Sequence, residues 1–142
     1  MTRVDFYILN QSGANERENF ACRLAEKAYE KGMRVFILTT EHDQTARLDR
    51  LLWTFRQGSF VPHASAEDLD CEPVAIGTSS NGASELLINL TASTAPNWAE
   101  NARVAEILDQ REATLQAGRQ RYKEYHQNGC TPHTHHIEGR KL

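Results

Sequence analysis

Residues 4–9, Val4-Asp5-Phe6-Tyr7-Ile8-Leu9, form a short β-branched and aromatic run, the composition of a buried strand. The next thirty residues settle the architecture. Asn15 has the residue type of a helix N-cap, with Glu18 three positions on as in a capping box. Phe20, Leu24 and Ala28 then recur at intervals of four, with Ala21 and Ala25 beside them, while Glu16, Glu18, Glu26 and Lys27 take other positions on the wheel. Gly32 supplies a residue able to end the helix in a left-handed conformation. Residues 34–40, Arg34-Val35-Phe36-Ile37-Leu38-Thr39-Thr40, are a second buried strand. Strand, helix and strand in this order predict a βαβ unit, whose crossover is right-handed in nearly all known cases.

Further along, Asp43 to Phe55 places Leu48, Leu51, Leu52 and Phe55 on one helical stripe. Val74 to Ile76 and Leu86 to Leu90 read as further strands, with Asn81-Gly82 between them as a turn signal. The last third is expected to be helical. Val104, Ile107, Leu108 and Leu115 offer an apolar stripe, Arg111 to Gln127 is dense in charge, and Pro132 closes the segment. No repeat or linker divides the chain. The expectation is one α/β domain over residues 1–129, a mainly parallel sheet flanked by helices on both faces, Rossmann-like without a nucleotide site. Residues 130–142 are expected to be a disordered tail, and Ile137-Glu138-Gly139-Arg140 within it spells a common protease-cleavage linker.

The 142 residues are 39% hydrophobic and 25% charged, an ordinary globular profile. A net charge of -3 opposes the basic excess usual in nucleic-acid-binding domains. Cys22, Cys71 and Cys130 are scattered and odd in number, which argues against a disulfide framework and suits a reducing compartment. Cys22, among apolar helical residues, reads as a buried inert thiol. Met1-Thr2-Arg3-Val4-Asp5 has no apolar signal core, and no run approaches membrane-spanning length. A cytoplasmic location is expected.

Several chemistries are missing. The turn after the first strand, Asn10-Gln11-Ser12-Gly13-Ala14-Asn15, carries one glycine where a dinucleotide site needs several. Gly58-Ser59 leads into Phe60-Val61-Pro62 without the lysine of a phosphate loop. Ser12, Ser59, Ser79 and Ser80 stand outside any Gly-x-Ser-x-Gly elbow, and Asp68 and Asp70 read as solvated loop carboxylates. Cys130, His133, His135 and His136, with His126 upstream, are of metal-ligand type. Structural zinc sites usually draw ligand pairs from separate elements, so adventitious affinity is the expected reading. No catalytic residue, cofactor or metal site is expected.

Two clusters remain. Trp53 and Phe55 end the Leu48-Leu51-Leu52 helix, and Phe60 lies beside Pro62. Such aromatics either cap the core or form a rigid patch that anchors a protein partner. In Arg119-Gln120-Arg121-Tyr122-Lys123-Glu124-Tyr125, positions 119, 122 and 123 share one helical face, and 121 and 125 a neighbouring one. Two cations around an aromatic suit an acidic peptide ending in an aromatic and a free carboxylate. The plainer alternative is a solvated face with Tyr122 packed inward.

The opening run, Leu48-Asp49-x-x-Leu52-Trp53, Ser59-Phe60-Val61-Pro62-His63 and Arg121-Tyr122-Lys123-x-Tyr125 resemble, in order and spacing, the DNA polymerase III chi subunit family. The likeness runs from about Thr2 to Gly129. It implies a non-catalytic accessory subunit of the clamp-loader assembly. It also implies two partners: the psi subunit, met by Phe60, Trp53 and Leu108, and the acidic C-terminal tail of single-stranded DNA-binding protein, held by Arg119, Tyr122 and Lys123. DNA would be met only indirectly. Leu115 stands where the family pattern leads one to look for a lysine. A competing expectation is direct single-stranded nucleic-acid binding through Tyr122, Tyr125 and the arginines, which the net charge opposes. A hydrolase or nucleotide enzyme is a third, opposed by the missing glycines and nucleophile.

Overall fold

The computed structural model describes residues 2–55, 58, 60–65, 73–80 and 84–138. The opening run is strand β1 (Arg3–Leu9), followed by helix α1 (Ala14–Glu30), β2 (Val35–Leu38) and α2 (His42–Thr54). Then come β3 (His63–Ser65), β4 (Val74–Gly77), β5 (Leu86–Asn89), a short 3-10 turn (Trp98–Glu100), β6 (Arg103–Leu108), α3 (Glu112–Gln127) and β7 (His133–Ile137). The seven strands form one sheet in the order β3-β4-β2-β5-β6-β1-β7, and every pairing is parallel.

A parallel sheet is covered on both faces, and the strand alternation sorts the side chains between them. Val35, Ile37, Leu86, Ile88, Ala105 and Ile107 point to the side where Phe20, Ala25, Leu48 and Leu52 of α1 and α2 pack. Phe36, Leu38, Leu87, Val104 and Leu108 point to the other, toward Tyr125 of α3. The α/β architecture expected from the first βαβ unit is the one observed. Gly32 ends α1 as expected, at φ 80°, with the Met33 amide bonded to the Ala28 carbonyl at 3.0 Å. Among the described residues no helix is long and apolar enough to cross a membrane.

Three local expectations are corrected. Residues 103–108 are not helical: they form β6, the partner of both β1 and β5. Nor does Asn15 cap α1. The helix starts at Ala14, and Glu18 is buried instead, taking Arg47 Nη2 at 2.9 Å and Gln44 Nε2 at 3.2 Å, so it ties α1 to α2. The segment expected as a disordered tail contains β7, which pairs with β1 over Asp5–Leu9. His135 Nε2 reaches Asp5 Oδ1 at 2.9 Å, and its ring stacks on Tyr7 at 4.9 Å. Asn81-Gly82, Cys71, Ser59, Asp68, Asp70 and residues 139–142 lie outside the described residues.

Candidate partner-binding surfaces

α2 buries Leu48 and Leu52 against the sheet. Trp53, one residue further round the wheel, is thereby turned away from that face. It is 48% exposed, and Phe60 is 71% exposed. These are the large hydrophobic side chains left exposed among the described residues, and they meet edge-on with ring centroids 5.4 Å apart. Beneath them lies His63, buried at the start of the edge strand β3 and 4.5 Å from the Trp53 ring. Its two ring nitrogens sit 2.6 Å from the Val61 carbonyl and 2.9 Å from the Asp49 carbonyl, which fixes the imidazole between the loop and α2. Val61, 1% exposed, anchors the strand entry from below. Phe60 is therefore an exposed ring next to the buried Val61, not a cap over the core.

Leu108 does not belong to this surface. It is 4% exposed in β6 and lies under α3, where a methyl group added at Gly118 would come within 2.5 Å of its Cδ1. The glycine lets the helix approach the sheet, and Leu108 is the floor of that approach. The resemblance implied that Leu108, in the late apolar stripe, would face psi; in the structure it is part of the core beneath α3.

α3 presents the second surface. Its inward stripe is Gly118, Arg121 and Tyr125, so Arg119 and Lys123 point outward and are exposed. Neither has an ion-pair partner among the described residues. Tyr122 lies between them, half-buried, with its ring 5.4 Å from Phe6 at 53°. The three residues expected to share a face do so, and the aromatic wall is braced from behind by the core.

What holds α3 in place was not visible in the sequence. Glu106, fully buried in β6, accepts from Arg121 Nε at 2.9 Å, Tyr125 Oη at 2.6 Å and Asn89 Nδ2 at 3.1 Å. Arg121 Nη1 also donates to the Ala92 carbonyl at 3.0 Å. Burial pushes the Glu106 carboxyl above its ordinary range, against the pull of Arg121, Tyr125 and Asn89, and it raises the Tyr125 hydroxyl as well. The available clue was the spacing: Gly118, Arg121 and Tyr125 lie three and four apart, one stripe of a helix.

Cys22 is fully buried, and burial pushes its thiol far up, away from the thiolate a nucleophile requires. Among the described residues no three His, Cys, Asp or Glu side chains converge as metal ligands. His135 and His136 are successive residues of β7 and so face opposite sides of the sheet.

The family model described as DNA polymerase III chi subunit, HolC, matches residues 1–133. The DNA polymerase III subunit chi of Pseudomonas aeruginosa is 39% identical over 140 residues, covering 96% of this chain and 98% of the relative. The subunit of the same name in Escherichia coli is 29% identical over 143 residues, covering 94% and 97%. That of Haemophilus influenzae is 27% identical over 140 residues, covering 94% and 96%.

Proposed function

The chain belongs to the DNA polymerase III chi subunit family, and on that basis we propose that it is a non-catalytic, cytoplasmic subunit coupling the clamp loader to protein-coated single-stranded DNA. Two contacts would carry this role. The psi subunit would seat on Trp53 and Phe60, and the acidic C-terminal tail of single-stranded DNA-binding protein would lie along Arg119, Tyr122 and Lys123. The observation that carries the reading is the Trp53–Phe60 pair, 48% and 71% exposed, with Trp53 near the end of α2 and Phe60 next to the buried Val61. Large aromatics left in water and centred on a rigid support are the residues that dominate protein interfaces. The tail contact is supported by two cations that lack an internal partner among the described residues and flank a half-buried tyrosine. Arg119 would bind the terminal carboxylate bidentately, and Lys123 would meet the acidic side chains as a point charge.

A pull-down of the chain with full-length and tail-truncated single-stranded DNA-binding protein tests the role. Capture of the full-length protein alone is the expected result. Equal capture of both forms, or of neither, overturns the tail contact.

A further inference from the structure

His63 is surrounded by more acceptors than a neutral imidazole can serve. Its Nδ1 lies 2.6 Å from the Val61 carbonyl oxygen. Its Nε2 lies 2.9 Å from the Asp49 carbonyl oxygen and 3.3 Å from Asp49 Oδ1. Carbonyl and ionised carboxylate oxygens accept and never donate. A neutral imidazole has one N–H and one bare nitrogen, so either tautomer would leave a lone pair facing an oxygen at hydrogen-bond distance. The side chain is 0% exposed, which leaves no water to mediate. Only the doubly protonated ring donates on both sides.

The neighbours suit that charge. From α2, the Asp49 carboxylate faces the ring as its counter-ion. The Trp53 ring lies 4.5 Å away, within the reach at which an indole attracts a cation. From the adjoining strand, Val74 pairs with His63 and is apolar. Among the described residues no second acid or base makes a hydrogen bond or ion pair with His63.

The ring also spans the two halves of the exposed aromatic pair. Asp49 and Trp53 are four residues apart on α2, and Val61 directly follows Phe60. The bond to Asp49 ties His63 to the helix that carries Trp53. The bond to Val61 ties it to the residue beside Phe60. Pro62, between Val61 and His63, has a fixed φ and restricts the residue before it, so this short segment has little freedom to compensate for a lost bond.

We propose that His63 is the positioning residue of this surface: its imidazolium clips the Phe60 segment to α2, and loss of its proton breaks one of the two bonds and lets the Trp53–Phe60 pair shift apart. This role rests on the reading of Trp53 and Phe60 as the psi-binding surface, and it makes that contact sensitive to pH. Both bonds exist only in the charged form. Binding of psi is therefore strongest at the acid end of the histidine range and declines as the ring loses its proton. Histidines ordinarily change charge between about pH 5 and pH 8, where carboxylates stay ionised, so a change within that range reports the ring and not Asp49.

Two readouts on the full chain separate the clip from the partner. In the chain alone, nitrogen NMR of the His63 ring follows its protonation from about pH 5 to about pH 8, while the Phe60 amide and Trp53 indole signals report the aromatic pair. All of these should move together. With psi, calorimetric titration over the same range should show affinity falling by about tenfold from the acid end, the loss of one charge-assisted hydrogen bond. His63→Gln keeps an uncharged donor toward Asp49 at every pH. Its affinity for psi should be below wild type at the acid end and flat across the range. A ring with one protonated nitrogen throughout, or Phe60 and Trp53 signals that ignore its protonation, overturns the clip, as does His63→Gln with the wild-type pH profile. Failure of psi to bind at any pH, or equal binding of Phe60→Ala, overturns the surface reading instead, and the NMR titration alone then decides the clip.

Discussion

Phe60 and Tyr122 are the aromatic rings at the two proposed partner surfaces, and they are held in opposite ways. Phe60 is 71% exposed and touches Trp53 edge-on, next to the buried Val61 and close to the held ring of His63. Tyr122 is half-buried against Phe6, flanked by Arg119 and Lys123, on a helix held by the fully buried Glu106. The first surface is centred on two rings that carry no charge, so binding there should be less sensitive to salt and carry a negative heat-capacity change. The second offers charge around a small apolar step, so binding there should weaken as salt rises. An exposed aromatic pair and a cationic helix face are thus different instruments, and each has its own way of failing.

The greatest loss should come from removing the support of the second surface. Arg121→Ala leaves Glu106 buried without its cation and should cost about 3–5 kcal/mol of stability, measured by chemical denaturation. Tail binding should fall with it, because α3 carries Arg119 and Lys123. A variant as stable as wild type would mean that the network does not hold the helix.

Next come the two surfaces themselves. Arg119→Ala should weaken a tail peptide by about 2–5 kcal/mol if the pair is desolvated, by calorimetric titration. An amidated peptide should lose affinity for wild type and little more for the variant. If Arg119→Ala binds the free-acid peptide as wild type does, the face is only solvated surface. Phe60→Ala should weaken psi by about 2–4 kcal/mol with Tm nearly unchanged, since the ring is already in water. A sharp fall in Tm would return Phe60 to the core and erase the contrast with Tyr122.

How much of this was legible in the sequence depended on which residues had local explanations. β1, β2 and β5 announced themselves because Phe6, Ile8, Phe36, Ile37, Leu87 and Ile88 sit in short apolar runs. β6 did not. Glu106 broke its run, and Val104, Ile107 and Leu108 fit a helical stripe equally well. Only the fold reveals that Glu106 has Arg121 waiting fifteen positions later, and no local pattern encodes a partner on another element. β7 was hidden for the same reason. His133, Thr134, His135 and His136 are polar and become a strand by pairing with β1, with Asp5 taking His135. Of the candidate site, the sharing of a face by Arg119, Tyr122 and Lys123 was readable from spacing alone. The exposure of Phe60 and the burial of Leu108 were not, because exposure is decided by what packs on top.

That β7 contact gives a smaller effect, at the far edge of the sheet from Phe60. Burial alone would raise the Asp5 carboxyl, but hydrogen bonds from His135, Arg103 and Arg3 outweigh it and hold the group below its ordinary value. A depressed carboxylate contributes stability that is fully present above its unfolded value of about 3.9 and is lost as pH falls through the lower folded value. Wild-type stability should therefore drop from about pH 4 downward, and Asp5→Asn should flatten that limb in an acid-denaturation series while lowering stability at neutral pH. An unchanged limb in Asp5→Asn would show that β7 is not tied to β1 through this residue.

The finest distinction between the two surfaces rests on Lys123. It is exposed and flexible, so its contact with an acidic tail gains little against solvent and side-chain entropy, about 0.2–1 kcal/mol. Its charge should act mainly during approach, because rim charges change association rates more than dissociation rates. Lys123→Ala should therefore slow association with the tail peptide at low salt and leave dissociation almost unchanged. At an ionic strength of about 0.15 M the screening length is about 8 Å, and the difference from wild type should shrink further as salt is raised. The same salt series on psi binding should move little in either protein, since Trp53 and Phe60 carry no charge. Stopped-flow measurement of both partners across the series decides the matter. A Lys123→Ala defect that persists at high salt and appears in the dissociation rate would make Lys123 a desolvated anchor like Arg119, and psi binding that weakens in step with the tail would leave the two surfaces no longer distinguishable by their physics.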